Sequence, residues 1–203
     1  DHLDGLPSWK CLKNDDFLGQ NHAFRRWCVV GHWPVTLYHP HIPCAAPLLV
    51  QERHIASIDG GCCLKADGQL NALVLPPAPG GAFTWFSYDG LPVAVALDAQ
   101  DEMADAVNIR WGRSRLEVLE RGKELCLCRH VESGRVLEVL TDYLREGPEG
   151  TFCEDSTDYR PPVAPGERLG VVKVLSDRAL VKRKGATGWY FARLAPFCPE
   201  MPE

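Results

Sequence analysis

Two apolar runs end in residues with chemistry. Trp27-Cys28-Val29-Val30 leads into Gly31-His32-Trp33-Pro34, and Ile55-Ala56-Ser57-Ile58 leads into Asp59-Gly60-Gly61-Cys62. A histidine held at the carboxyl end of a strand is well placed to ligate a metal, because a rigid element fixes it. Imidazole suits Mn, Fe and Zn, and carboxylates bridge metal pairs. Asp59 reads in two ways. It either orients a ligand from the second layer of contacts or caps the turn made by Gly60-Gly61. His39-Pro40-His41 adds two more imidazoles, in a three-proline stretch from His39 to Pro47 that reads as an exposed irregular loop. Cys62 follows two glycines, but no base stands at a recognisable spacing from it. Cys126, Cys128 and His130 form an alternative zinc set.

These residues need elements to hold them. A short helix is expected over Asn14–Gly19, capped by Asn14 or Asp15. Strands are expected at Trp27–Gly31, Glu52–Asp59 and Leu70–Leu75. The Asp-Gly of Ala66-Asp67-Gly68-Gln69 is a hairpin signal between the last two. Pro76–Gly81 reads as a loop, and Phe83–Tyr88 as an aromatic edge strand bounded by Asp89-Gly90. Past Leu97–Asp105 the pattern changes to short alternating runs at Arg115–Leu119, Glu124–His130 and Arg135–Leu140. Glu120-Arg121-Gly122 and Ser133-Gly134 are their turns. Glu146-Gly147-Pro148-Glu149-Gly150 reads as a break before a last module. Trp111 and Tyr143 are expected inside a small β-unit spanning about residues 105–146.

With 203 residues, the chain has room for one large domain or two small ones. Its net charge of −5 has both signs interspersed, which argues against nucleic acid as a partner. No apolar run reaches the roughly 18 residues of a membrane helix, so no membrane is expected. The nine cysteines are odd in number and include no C-x-x-C. They read as reduced, mostly buried thiols of a cytoplasmic protein. The chain opens Asp1-His2-Leu3-Asp4, with no initiator Met and no signal peptide.

The Gly31-His32-Trp33-Pro34-Val35-Thr36 segment, the Ile58–Cys62 strand end and Asp67-Gly68-Gln69-Leu70-Asn71-Ala72-Leu73 together resemble the C-terminal part of calcineurin-like metallophosphoesterases. The resemblance is to the serine/threonine phosphoprotein phosphatase branch, in bacterial members with an SH3-like tail, and it covers about residues 15–98. It implies two divalent metal ions (Mn, Fe or Zn) and hydrolysis of phosphomonoesters by metal-activated water. The substrate implied is a phosphorylated protein or small molecule. By the same resemblance His32 is a ligand of one metal, Gly31 lets the backbone approach the pair, and Gly31, Asp59 and Gly60 form the active-site neighbourhood. No catalytic residue is assigned. The family's front motifs, D-x-H, G-D-x-x-D and G-N-H-[DE], do not occur in residues 1–203, so the chain alone is expected to be inactive.

Asp155–Tyr159, Pro165–Leu169 and Gly185–Phe191 resemble segments of a bacterial SH3-like domain. A non-catalytic SH3-like binding module is therefore the alternative function, with docking of that module onto the phosphatase part as one further role. Trp189 is expected in the core and not in a proline-binding groove. The fold class expected is α+β. It comprises the back half of a metallophosphatase β-sandwich at 1–98, a β-rich connecting unit at 99–150 and a small SH3-like β-barrel at 151–196.

Overall fold

Short runs of two to seven residues give strands, some of them alternating in burial, and strands make up most of the regular structure. The computed structural model describes residues 5, 7–78, 80–103 and 105–195. The opening Asp1–Asp4 and residue 196, the expected end of the last module, lie outside the described residues. The chain divides into two units. The first comprises the described residues up to Tyr38 together with Ala45–Asp89. The second comprises His39–Cys44 and the described residues from Gly90 onward.

In the first unit β1 (Cys28–Val30) runs parallel to β3 (Ile55–Ser57), and β2 (Leu48–Val50) pairs with β3 antiparallel. All three residues of β3 are buried, since it lies between two neighbours. β1 is an edge strand, and its Val29 is exposed although it lies in an apolar run. The expected strand Glu52–Asp59 is shorter than predicted. A 3₁₀ turn occupies Gln51–Arg53, and His54 caps it in the left-handed region (φ 52°), so only Ile55–Ser57 pairs. β2 went unpredicted because prolines crowd the residues before it.

β4 (Leu70–Val74) and β5 (Thr84–Tyr88) form a separate antiparallel ribbon. Asp67-Gly68 is therefore not a hairpin turn between β3 and β4. Gly61 and Gln69 instead bridge in parallel, and a Cβ on Gly68 would collide with the Gly61 carbonyl. The helix expected at Asn14–Gly19 is absent. Asp16 sits at φ 47°, and its Oδ1 and carbonyl both accept the Gly19 N–H, at 3.2 and 3.0 Å. Such local side-chain bonds compete with a helix. Among the described residues the single α-helix is Ser8–Leu12, so the fold is β-rich, with little of the α part of the expected α+β class.

The second unit holds β6 (Val93–Val95), β7 (Asn108–Ile109), β8 (Arg115–Glu120), β9 (Leu125–His130) and β10 (Val136–Leu140). It continues with β11 (Leu144–Gly147), β12 (Gly150–Cys153), β13 (Ser156–Thr157), β14 (Arg168–Val174), β15 (Ala179–Arg183) and β16 (Ala186–Tyr190). Strand order is β10-β9-β8-β12-β11 in a five-stranded sheet and β16-β15-β14-β6 in a four-stranded one, and β13 pairs with β7. Ile109, Leu116, Cys126, Cys128, Leu137 and Val139 pack the first sheet's core. Leu140 of β10 packs with Leu175, Leu180 and Trp189, so the two sheets share apolar contacts.

The boundaries expected near 98 and 150 both fall inside this unit. The expected break at Glu146–Gly150 is a hairpin, in which Gly147 of β11 pairs with Gly150 of β12 around a Pro148-Glu149 tip. Lys184 and Gly185 turn β15 into β16 with φ 50° and 84°, the left-handed pair that matches strand twist. Tyr143 packs half-buried against both cores, but Trp111 is 69% exposed and not inside. No helix among the described residues is long and apolar enough to cross a membrane.

Burial sorts the thiols. Cys126, Cys128 and Cys153 are buried, whereas Cys62 and Cys63 are exposed. Burial pushes the Cys153 thiol up to about 12, and burial with Cys126 nearby pushes Cys128 up to about 11. Alkylation needs the thiolate, so both stay protonated and slow at pH 8. Iodoacetamide at pH 8 is expected to modify Cys62 and Cys63 before Cys128 and Cys153, read by peptide mass. Equal rates at all four would contradict the buried placement.

Candidate functional site

β1 stops at Val30 because the backbone reverses. The Trp33 N–H donates to the Gly31 carbonyl at 2.9 Å, two residues back, and His32 between them has φ 69°. That is a γ-turn of positive φ, a rare and strained geometry, and a left-handed conformation is costly for a residue with a Cβ. Such strain persists only where surrounding structure enforces it, and it concentrates at functional sites. The enforcing contacts are close by. Ile58 N–H donates to Val30 O at 3.0 Å, and Val35 N–H donates to Asp59 O at 2.8 Å. They bind both sides of the turn to the strand end that follows β3.

The turn aims the imidazole at Asp15. His32 Nε2 lies 3.0 Å from Asp15 Oδ1, with the His side chain 30% exposed. An ionised carboxylate only accepts, so the proton sits on Nε2. Nδ1 makes no bond among the described residues, and its lone pair is left for a ligand. A carboxylate that fixes one ring nitrogen while the other ligates is a recurrent arrangement around metals. Sequence reasoning missed Asp15, which is 17 residues away in a turn and carries no local mark of this role.

The neighbourhood residues take different parts. A Cβ on Gly31 would meet nothing within 4 Å, so this glycine leaves open space beside His32. Asp59 resolves to the capping reading: its Oδ1 accepts the Gly61 N–H at 2.8 Å, and Gly61 turns at φ 72°. A Cβ on Gly60 would press into Gln69 and approach Asn71 Nδ2 to 2.8 Å, so Gly60 permits the approach of the segment leading into β4. Behind it lies a buried polar network. Asn71 Nδ2 donates to the Ala45 and Ile58 carbonyls at 2.8 and 3.0 Å, and Ser87 Oγ donates to Asn71 Oδ1 at 2.7 Å. These bonds tie the β4–β5 ribbon to the strand end carrying Asp59.

The other sequence candidates go elsewhere. His39 and His41 belong to the second unit. Burial, and then the charge of Arg110, lower the pKa of His39, which keeps it neutral. His41 Nδ1 donates to the Ala106 carbonyl at 3.1 Å. His130 is consumed structurally: Nε2 donates to the Arg113 carbonyl at 2.9 Å and Nδ1 accepts from Ser133 Oγ at 2.8 Å. Cys126, Cys128 and His130 share the inner side of β9, since alternate residues face one way. Among the described residues no group of three or more His, Cys, Asp or Glu side chains is placed to hold an ion. The residues present therefore fit one ligand of a metal centre and do not by themselves fit a two-ion site.

Comparison of the chain with protein-family profiles, curated proteins and solved structures finds no match.

Proposed function

We propose that this chain is the C-terminal part of a metal-dependent phosphoesterase of the serine/threonine phosphatase type. In this reading His32 gives one ligand through Nδ1, Asp15 holds its ring, and the remaining ligands come from residues outside the chain. The observation that carries it is the strained γ-turn at His32, with Nε2 engaged by Asp15 and Nδ1 unengaged. One imidazole cannot offset the charge of two divalent ions. Residues 1–203 alone, given Mn²⁺ and p-nitrophenyl phosphate, are therefore expected to show no turnover above the metal blank. Metal-dependent turnover abolished by His32→Ala would overturn the fragment reading. The coding sequence upstream of Asp1 tests the rest. One continuous frame encoding D-x-H, G-D-x-x-D and G-N-H is expected, and a stop codon with a start site just before Asp1 would exclude it.

The second reading, a non-catalytic SH3-like module, draws on the β14–β15–β16 meander and its tight hairpin. Trp189 is no part of a proline-binding groove in that reading. Its ring is 6% exposed, and its Nε1 donates to the Thr157 carbonyl at 2.9 Å.

A further inference from the structure

Where β7 ends, the chain makes a tight turn of four residues, Arg110-Trp111-Gly112-Arg113. The Arg113 N–H donates to the Arg110 carbonyl at 2.9 Å, and Gly112 takes φ 77°. A turn with a left-handed third residue needs glycine there. Its effect is to bring two arginines side by side beneath an exposed tryptophan. Both arginines line a pocket of about 410 Å³, with His41, Asn108, Glu132 and Arg135 also on its wall.

The charges in this pocket are unevenly matched. Arg135 is neutralised by Asp158 at 2.7 Å and Asp105 at 2.8 Å. Arg113 pairs with Glu132, and both of those side chains are about half exposed. Arg110 has no ion pair among the described residues. Its one hydrogen bond is a long contact of 3.3 Å from Nη1 to the Asn108 carbonyl. The chain carries 27 acidic against 22 basic residues, so carboxylates are not scarce. Burial first, and then the nearby Arg113 charge, lower the pKa of Arg110 against the opposing pull of Glu132 and Asp155, which means that its charged form is held at a cost. A guanidinium has five N–H donors in a fork suited to carboxylates and phosphates, and here most of them are unused.

A second hollow of about 440 Å³ adjoins the first and shares Arg113, His130 and Glu132 with it. Its distinctive wall is apolar, with Trp111, Val131 and Phe152. Val131 is 52% exposed. A basic pocket beside an apolar hollow presents two different surfaces about one side chain apart.

We propose that the Arg110–Arg113 turn is a phosphopeptide-binding site. Arg110 and Arg113 take the phosphoryl group, and an apolar residue next to the phosphorylated one rests against Trp111, Val131 and Phe152. Recognition of a dianion by paired arginines follows their bidentate geometry. Arg113 gives up its exposed contact with Glu132, which is worth little in solvent. Nucleic acid fits less well, because no basic stripe extends from the pocket to track a backbone. The site stands apart from the proposed phosphoesterase reading, since binding here requires neither His32 nor a metal.

The test uses the full chain and a dye-labelled nine-residue peptide library with central phosphoserine, read by fluorescence polarisation. The unphosphorylated library, inorganic phosphate and single-stranded poly(U) serve as comparisons. The phosphorylated library is expected to bind at least about tenfold tighter than the unphosphorylated one. Arg110→Ala is expected to weaken it about tenfold or more. Trp111→Ala is expected to weaken peptide binding while leaving an NMR titration with inorganic phosphate unchanged. Arg110→Lys, which keeps the charge and loses the fork, is expected to fall between wild type and Arg110→Ala with an unaltered melting curve, and so controls for folding. Three results would each overturn the proposal: equal binding of both libraries, binding indifferent to Arg110, or preference for poly(U).

Discussion

In the proposed phosphoesterase reading, His32→Ala is expected to lower phosphomonoester turnover at least about a hundredfold in the longer protein that this reading requires. Loss of a ligand removes several kcal/mol of charge stabilisation, and each 1.4 kcal/mol is about tenfold in rate. The fold should survive, because the His32 side chain is partly exposed and its one described polar contact is to the exposed Asp15. Alanine retains a Cβ, so the φ of 69° stays as strained as before and the backbone is not relieved. Asp15→Asn separates orientation from ligation. Asparagine can accept the Nε2 proton but carries no charge to raise the basicity of the ring. Such changes one layer out commonly cost about 10–100-fold in metal affinity. The expected pattern is a raised Mn²⁺ requirement for Asp15→Asn, with turnover recovered at saturating metal, and no recovery for His32→Ala. Turnover of His32→Ala within tenfold of wild type would remove His32 from the metal centre.

Trp189→Ala is expected to destabilise the second unit by about 3–5 kcal/mol. The indole is buried among Leu140, Leu175 and Leu180, where the two sheets share contacts, and its loss leaves a cavity. It also strips the Thr157 carbonyl of the Nε1 donor at 2.9 Å. Arg178 lies over the ring on its outer side, 5.9 Å from the centroid, and would be left facing the void. Hydrogen exchange of the β15 amides reports this unit separately from the first. Their protection is expected to fall by about a hundredfold or more. A loss below tenfold would mean that the sheets hold together without this residue.

The two predictions rest on features of different legibility. Trp189 was readable as core because it sits in the aromatic run Trp189-Tyr190-Phe191, which resembles the last hairpin strand of an SH3-like domain. His32 was readable as a candidate from a strand ending in Gly-His, but its partner was not. Asp15 lies in a turn that the sequence presented as a helix cap, and the Asp16–Gly19 bonds that replace that helix depend on side-chain geometry. Asp67-Gly68 was misread for a related reason. Asp-Gly favours a two-residue hairpin, yet here the glycine is needed for backbone approach to Gly61. Trp111 was assigned to a core by its size alone, and the turn at Gly112 carries it into solvent.

By itself the sequence determined the local matters. Alternation placed β8, β9 and β10 within a residue or two, because the faces of a strand repeat every second residue and burial is recorded at that period. It marked His32 for the same reason, as the residue at which an apolar run stops. Tertiary structure decided everything that needs two distant segments to meet. His39–Cys44 joins the second unit, where the Thr187 N–H donates to the Pro43 carbonyl at 3.0 Å. β2 exists because β3 offers it an edge. Asp15 reaches His32, whereas Glu132 and Asp155 act on Arg110 without a direct ion pair among the described residues. Near neighbours set backbone preference and periodicity, but which edge, carboxylate or cation a group finds depends on the path of the whole chain.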